Sequence, residues 1–72
     1  SADNYIIGDN LFVEPGAKCT MATINTSTGP VYIGRDTEIM EGSHIRGPFA
    51  LMNNSTVKMG SKIYGATTKI LS

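Results

Sequence analysis

The sequence predicts an all-β fold, a parallel β-helix of about three coils, on three observations. Ile33, Ile39, Ile45, Leu51, Val57 and Ile63 follow one another at intervals of six residues. Two places before each stand Val31, Thr37, Ser43, Phe49, Ser55 and Ser61, all small or β-branched except Phe49. Gly42 and Gly60 are eighteen residues apart, and so are Gly47 and Gly65.

Each observation has a physical reading. Neither a helical period of 3.6 nor a plain strand period of 2 produces an aliphatic every sixth residue. Residues two apart in a strand share a face, so each hexad turns one small and one aliphatic side chain inward. The other four positions then carry turns and solvent-facing groups. Three hexads make eighteen residues, and glycines at that spacing stack at one corner, where positive φ is cheap without a Cβ.

The first third repeats the same text. Ile7-Gly-Asp-Asn echoes Ile33-Gly-Arg-Asp, and Val13-Glu-Pro-Gly echoes Ile39-Met-Glu-Gly. Both echoes lie 26 residues apart, so the stretch 25–32, rich in Thr, Ser, Gly and Pro, reads as a loop inserted at a corner. The expected coils are 7–24, 33–50 and 51–68. The expected inner columns are Ile7/Ile33/Leu51, Val13/Ile39/Val57 and Cys19/Ile45/Ile63. Residues 1–6 are expected as an N-terminal extension and 7–68 as the β-helix. At Lys69 an aliphatic is due, and Ile70 and Leu71 follow out of register, so 69–72 reads as a tail and the chain as a piece of a longer solenoid.

Composition bounds the function. Six basic and six acidic residues cancel, with a pI near 6.5, so no basic field draws nucleic acid or anionic lipid. No apolar run approaches the roughly 18 residues of a membrane span. One cysteine, Cys19, forms no internal disulfide, and one histidine, His44, makes no metal cluster. Without a secretory-type leader these features predict a cytoplasmic protein. A chain of 72 residues buries a marginal core, which leaves repetition and oligomerisation as its sources of stability.

The strings Gly29-Pro-Val-Tyr-Ile-Gly, Ile39-Met-Glu-Gly, Ile45-Arg-Gly-Pro-Phe-Ala and Val57-Lys-Met-Gly-Ser-Lys-Ile-Tyr-Gly-Ala-Thr-Thr carry a resemblance. Over about residues 5–68 the chain resembles the hexapeptide-repeat transferases. Within them it is similar to the C-terminal β-helix of bacterial, Bacteroides-type sugar-1-phosphate nucleotidyltransferases. These are in turn similar to the bifunctional N-acetylglucosamine-1-phosphate uridyltransferase/glucosamine-1-phosphate acetyltransferase. The resemblance implies a left-handed coil, which parallel crossovers otherwise avoid. It implies a parent that handles a sugar phosphate and a nucleotide, with acetyl-CoA and magnesium as its cofactors, and that assembles as a homotrimer. It implies no cofactor for this segment. The departure is Lys69-Ile-Leu-Ser, where the family continues with a further aliphatic hexad.

Candidate site residues are few. No glycine-rich phosphate loop with a trailing Arg or Lys is present. His44 is the candidate general base, on the outward side of its strand, with Glu38 and Glu41 near it in sequence. The bland alternative is a surface or interface histidine. Arg46, Lys58 and Lys62 are candidates to meet a phosphate or CoA group between subunits, against ordinary solvated charges. No metal ligands are expected. Asn53 and Asn54 are expected to fill a corner. Cys19 is expected as a small inward residue. Tyr32, Met40, Met52, Met59 and Tyr64 fall at outward or corner positions and read as a packed partner surface. The segment itself is expected to be a structural, oligomerising β-helix. The alternative is a minimal acyl-CoA-dependent amino-sugar acetyltransferase.

Overall fold

Short strands separated by tight corners follow from the hexad, because two or three extended residues are all that each corner leaves. The computed structural model describes residues 4–64 and the strand Thr68–Ile70. In chain order the strands are β1 (Tyr5–Ile7), β2 (Leu11–Val13), β3 (Lys18–Cys19), β4 (Thr23–Asn25), β5 (Val31–Ile33), β6 (Glu38–Ile39), β7 (His44–Arg46), β8 (Phe49–Leu51), β9 (Thr56–Val57), β10 (Lys62–Ile63) and β11 (Thr68–Ile70). All described pairings are parallel. Every third strand joins the same sheet. The first sheet runs β1-β4-β7-β10, the second β2-β5-β8-β11 and the third β3-β6-β9. The described residues contain no helix, and the chain is a parallel β-helix of about three turns.

The core is a set of aliphatic columns parallel to the solenoid axis. Ile24, Ile45 and Ile63 stack in the first sheet, Ile33 and Leu51 in the second, Ile39 and Val57 in the third. Burial follows the expected alternation: Val31 and Ile33 are buried while Tyr32 between them is partly exposed. The small inward positions are buried too, and their hydroxyls are spent on corner carbonyls. Thr37 Oγ1 donates to the Gly34 carbonyl at 2.8 Å. Ser43 Oγ reaches the Met40 carbonyl at 2.8 Å and the Lys58 carbonyl of the next coil at 3.1 Å. No buried side-chain N or O among the described residues lacks a partner. Phe49, the one large residue in this series, is also buried, packed inside the second sheet.

The corners are built from left-handed backbone. One corner stacks Gly16, Asp36 and Asn54, all at positive φ; another stacks Met21, Gly42 and Gly60. Asn54 is where the sequence places a corner asparagine. The side chain of Asn53 adds a rung: its Oδ1 accepts the Arg35 amide of the preceding coil at 2.7 Å. Gly65 lies outside the described residues, so its expected stacking on Gly47 does as well.

The first coil sits differently from expectation. Val13, not Ile7, lies opposite Ile33; Cys19, not Val13, lies opposite Ile39; and Ile6 heads the Ile24/Ile45/Ile63 column. The 26-residue echo joined strings on different faces of the prism. The columns of the second and third coils stand as expected. The eight-residue loop is also shorter. Asn25 ends β4 and Val31 and Tyr32 lie in β5, so the corner is 26–30. It does not project freely. Thr26 Oγ1 donates to the Ile7 carbonyl at 2.9 Å and accepts the Asn10 amide at 3.2 Å. Thr28 Oγ1 donates to the Gly47 carbonyl at 2.6 Å. The corner thus ties the coil before it to the coil after it.

Two further boundaries move. β1 starts at Tyr5, inside the expected extension, and Thr68–Ile70 pairs with Phe49–Leu51, so the expected tail begins within a strand. Ile70 is in register with Leu51, and Lys69 is opposite Ala50.

Candidate functional site

Alternation along β7 turns Ile45 inward and leaves His44 and Arg46 exposed. In the parallel register His44 lies between Thr23 of β4 and Lys62 of β10, and Arg46 lies opposite Asn25. Next to Ile63, Tyr64 brings its ring under the Arg46 guanidinium, 5.7 Å from charge to ring centre, a cation–π contact. These side chains frame an open groove of about 200 Å³ whose walls include Ile7, Thr23, Asn25, His44, Arg46 and Tyr64.

The groove is cationic. No carboxylate lines it. Glu38 lies in the third sheet, and Glu41 in the corner before β7, so neither orients the His44 imidazole within this groove. Of the candidate cations, the structure brings Arg46 into the groove with His44 and pairs Lys62 in register with His44. Lys58 is at the corner after β9, exposed, and not part of the groove wall. Its backbone carbonyl accepts the Ser43 and Ser61 hydroxyls.

Arg46 and Tyr64 each follow an isoleucine of the same column and lie eighteen residues apart, so the coil period juxtaposes them, while the ring contact itself depends on side-chain placement. A second hollow, about 280 Å³, lies on the third sheet among Gly16, Lys18, Asp36, Thr37, Glu38 and Thr56. There a lysine and a glutamate occupy paired positions, Lys18 opposite Glu38. This mixed charge distinguishes it from the cationic groove.

Cys19 is partly buried opposite Ile39, and burial pushes its thiol up from the ordinary value. A thiol so placed is a poor nucleophile at neutral pH. Among the described residues no group of three or more His, Cys, Asp or Glu is placed to hold a metal ion. No helix of the described residues is long and apolar enough to cross a membrane.

Compared with protein-family models, curated proteins and solved structures, the chain matches none.

Proposed function

We propose that this chain is a structural, self-associating β-helix, a segment of a sugar-phosphate nucleotidyltransferase or acetyltransferase-like protein of sugar-nucleotide biosynthesis. One observation supports self-association above the rest. Tyr5, Ile6, Phe12, Val13, Met21, Met52, Met59 and Tyr64 are large apolar side chains left exposed, beside a buried core of nine. A surface that spends nearly as many large apolar groups on water as the core hides is one built to be covered. The polar residues support a scaffold role: Thr26, Thr37, Ser43 and Ser55 are buried and bonded to backbone within the solenoid. The link to sugar nucleotides, with acetyl-CoA and magnesium in the parent and a three-fold assembly, rests on the sequence resemblance.

A second reading is favoured by the placement of His44 and Arg46 in one groove. In it the chain is a minimal acetyltransferase for an amino sugar, with His44 as base. One preparation tests both. Sedimentation over a concentration series is expected to show an oligomer that dissociates on dilution; a monomer at every concentration contradicts the first reading. Incubation with acetyl-CoA and glucosamine-1-phosphate is expected to release no thiol above the blank. Release that His44→Ala abolishes establishes the second reading instead.

A further inference from the structure

We propose that the outer groove of the first sheet is a binding site for a phosphate monoester, held at its tetrahedral oxyanion by Asn25, His44 and Arg46. The inference goes beyond the scaffold reading and does not depend on it, since one chain supplies all of these groups.

Parallel pairing lays the outward side chains of the first sheet in two rows. One row runs Thr23, His44 and Lys62, the other Asn25 and Arg46, with Tyr64 on the next coil. Neighbours within a row are about 4.8 Å apart, and the rows are two residues, about 6.6 Å, apart along the strands. Two charge-assisted bonds of about 2.8 Å to one small anion span about that width. The groove has a volume of about 200 Å³, and among the described residues no Asp or Glu forms its wall.

The donors are set before any ligand arrives. Asn25 Oδ1 accepts the Ser27 amide at 2.9 Å and the Ser27 hydroxyl at 2.6 Å. The side-chain oxygen is thereby committed to the corner, and the Nδ2 donor is left on a residue that lines the groove. Arg46 rests over the Tyr64 ring at 5.7 Å, and among the described residues no carboxylate pairs with it. A guanidinium stacked by its face keeps its N–H edge for a ligand. His44 is on the same strand as Arg46, and Lys62 adds positive charge in register with it. The nearest acids in sequence stand at corners: Asp9 after β1 and Glu41 before β7.

The donor set selects the ligand. The fork of Arg46 alone satisfies both oxygens of a planar carboxylate. Asn25 stands on the neighbouring strand and His44 in the other row, so engaging all three takes a further acceptor oxygen outside that plane. A phosphate has one. Tyr64, 58% exposed, and Ile7 add apolar surface to the groove for the organic group that a monoester carries.

Chemical-shift titration of the isotope-labelled full chain at low ionic strength tests this, with inorganic phosphate, phenyl phosphate and acetate as probes. Saturable shifts are expected at the side chains of Asn25, His44 and Arg46. Phenyl phosphate is expected to bind about threefold tighter than inorganic phosphate, and acetate about tenfold weaker. Arg46→Gln is expected to weaken phenyl phosphate about tenfold, and Lys58→Gln, outside the groove wall, to leave it unchanged. Tyr64→Ala is expected to weaken it about threefold and Tyr64→Phe to keep it, because the ring alone orients Arg46. Circular dichroism confirms that each variant retains its β spectrum. Shifts that never saturate, or equal losses from Arg46→Gln and Lys58→Gln, overturn the site. Acetate that binds as tightly as phosphate overturns the choice of a tetrahedral anion, and inorganic phosphate as tight as phenyl phosphate overturns the ester. Sedimentation decides self-association separately, so either reading fails without the other.

Discussion

Ile45→Ala is expected to cost about 3–4 kcal/mol of folding stability. Ile45 is 2% exposed and sits in the middle of a column, with Ile24 on one side and Ile63 on the other. Removing its side chain leaves a cavity that neither neighbour can fill, because each is pinned by backbone pairing to its own coil. A chain of 72 residues has about 4–11 kcal/mol to lose in all. In a solenoid the damage falls on the nearest-neighbour interfaces that hold the coils together, so a central column position matters most. Ile6 belongs to the same column but is 39% exposed at its head, and Ile6→Ala is expected to cost about 1 kcal/mol or less. Urea titration followed by circular dichroism checks both. Equal losses at the two positions would contradict the column.

Gly34→Ala is expected to cost about 3 kcal/mol, at the upper end for a single added methyl. The reason is space rather than backbone conformation, since Gly34 does not have positive φ. A Cβ there would stand 2.6 Å from Asn53 Oδ1, 2.8 Å from the Asn53 nitrogen and 2.8 Å from the Leu51 carbonyl oxygen. Two of these are backbone atoms of the next coil. The Gly34 amide donates to that same Leu51 carbonyl at 2.7 Å, so relief requires prying two coils apart where they are bonded. Gly60→Ala is the contrast. Its φ is 72° but nothing lies within 4 Å of a Cβ, so it loses only about 1 kcal/mol through left-handed strain. The same titration compares the two, and a Gly34→Ala protein no less stable than Gly60→Ala would contradict the packing between coils.

The repeat from Val31 to Ile63 was legible because six-residue spacing there is unbroken, and the columns it implied are the ones that form. The first coil was not, because its corners vary in length. Five positions separate Cys19 from Ile24, and nine separate Ile24 from Ile33, where six separate Ile45 from Leu51. Pairing runs between coils rather than along the chain, so a corner can lengthen without disturbing the columns. Counting along the chain then loses its place. Ile7 enters the expected columns through its echo of Ile33, whereas Ile6 is the residue in register with Ile24, and one residue of slip turns an outward side chain inward.

The seven positions from Ile63 to Ile70 hid the last strand in the same way. At the candidate site, alternation around Ile45 was enough to place His44 and Arg46 outward. The groove itself was not readable. It needs Asn25, Arg46 and Tyr64 brought together from three coils, and only the correct register between coils does that.

Methyl-to-methyl nuclear Overhauser contacts in the isotope-labelled protein test the stacked columns most directly. Cross-peaks are expected for Ile24 with Ile45, Ile45 with Ile63, Ile33 with Leu51 and Ile39 with Val57. Their absence, or contacts from Ile45 to side chains three and four residues along the chain in their place, would contradict the β-helix.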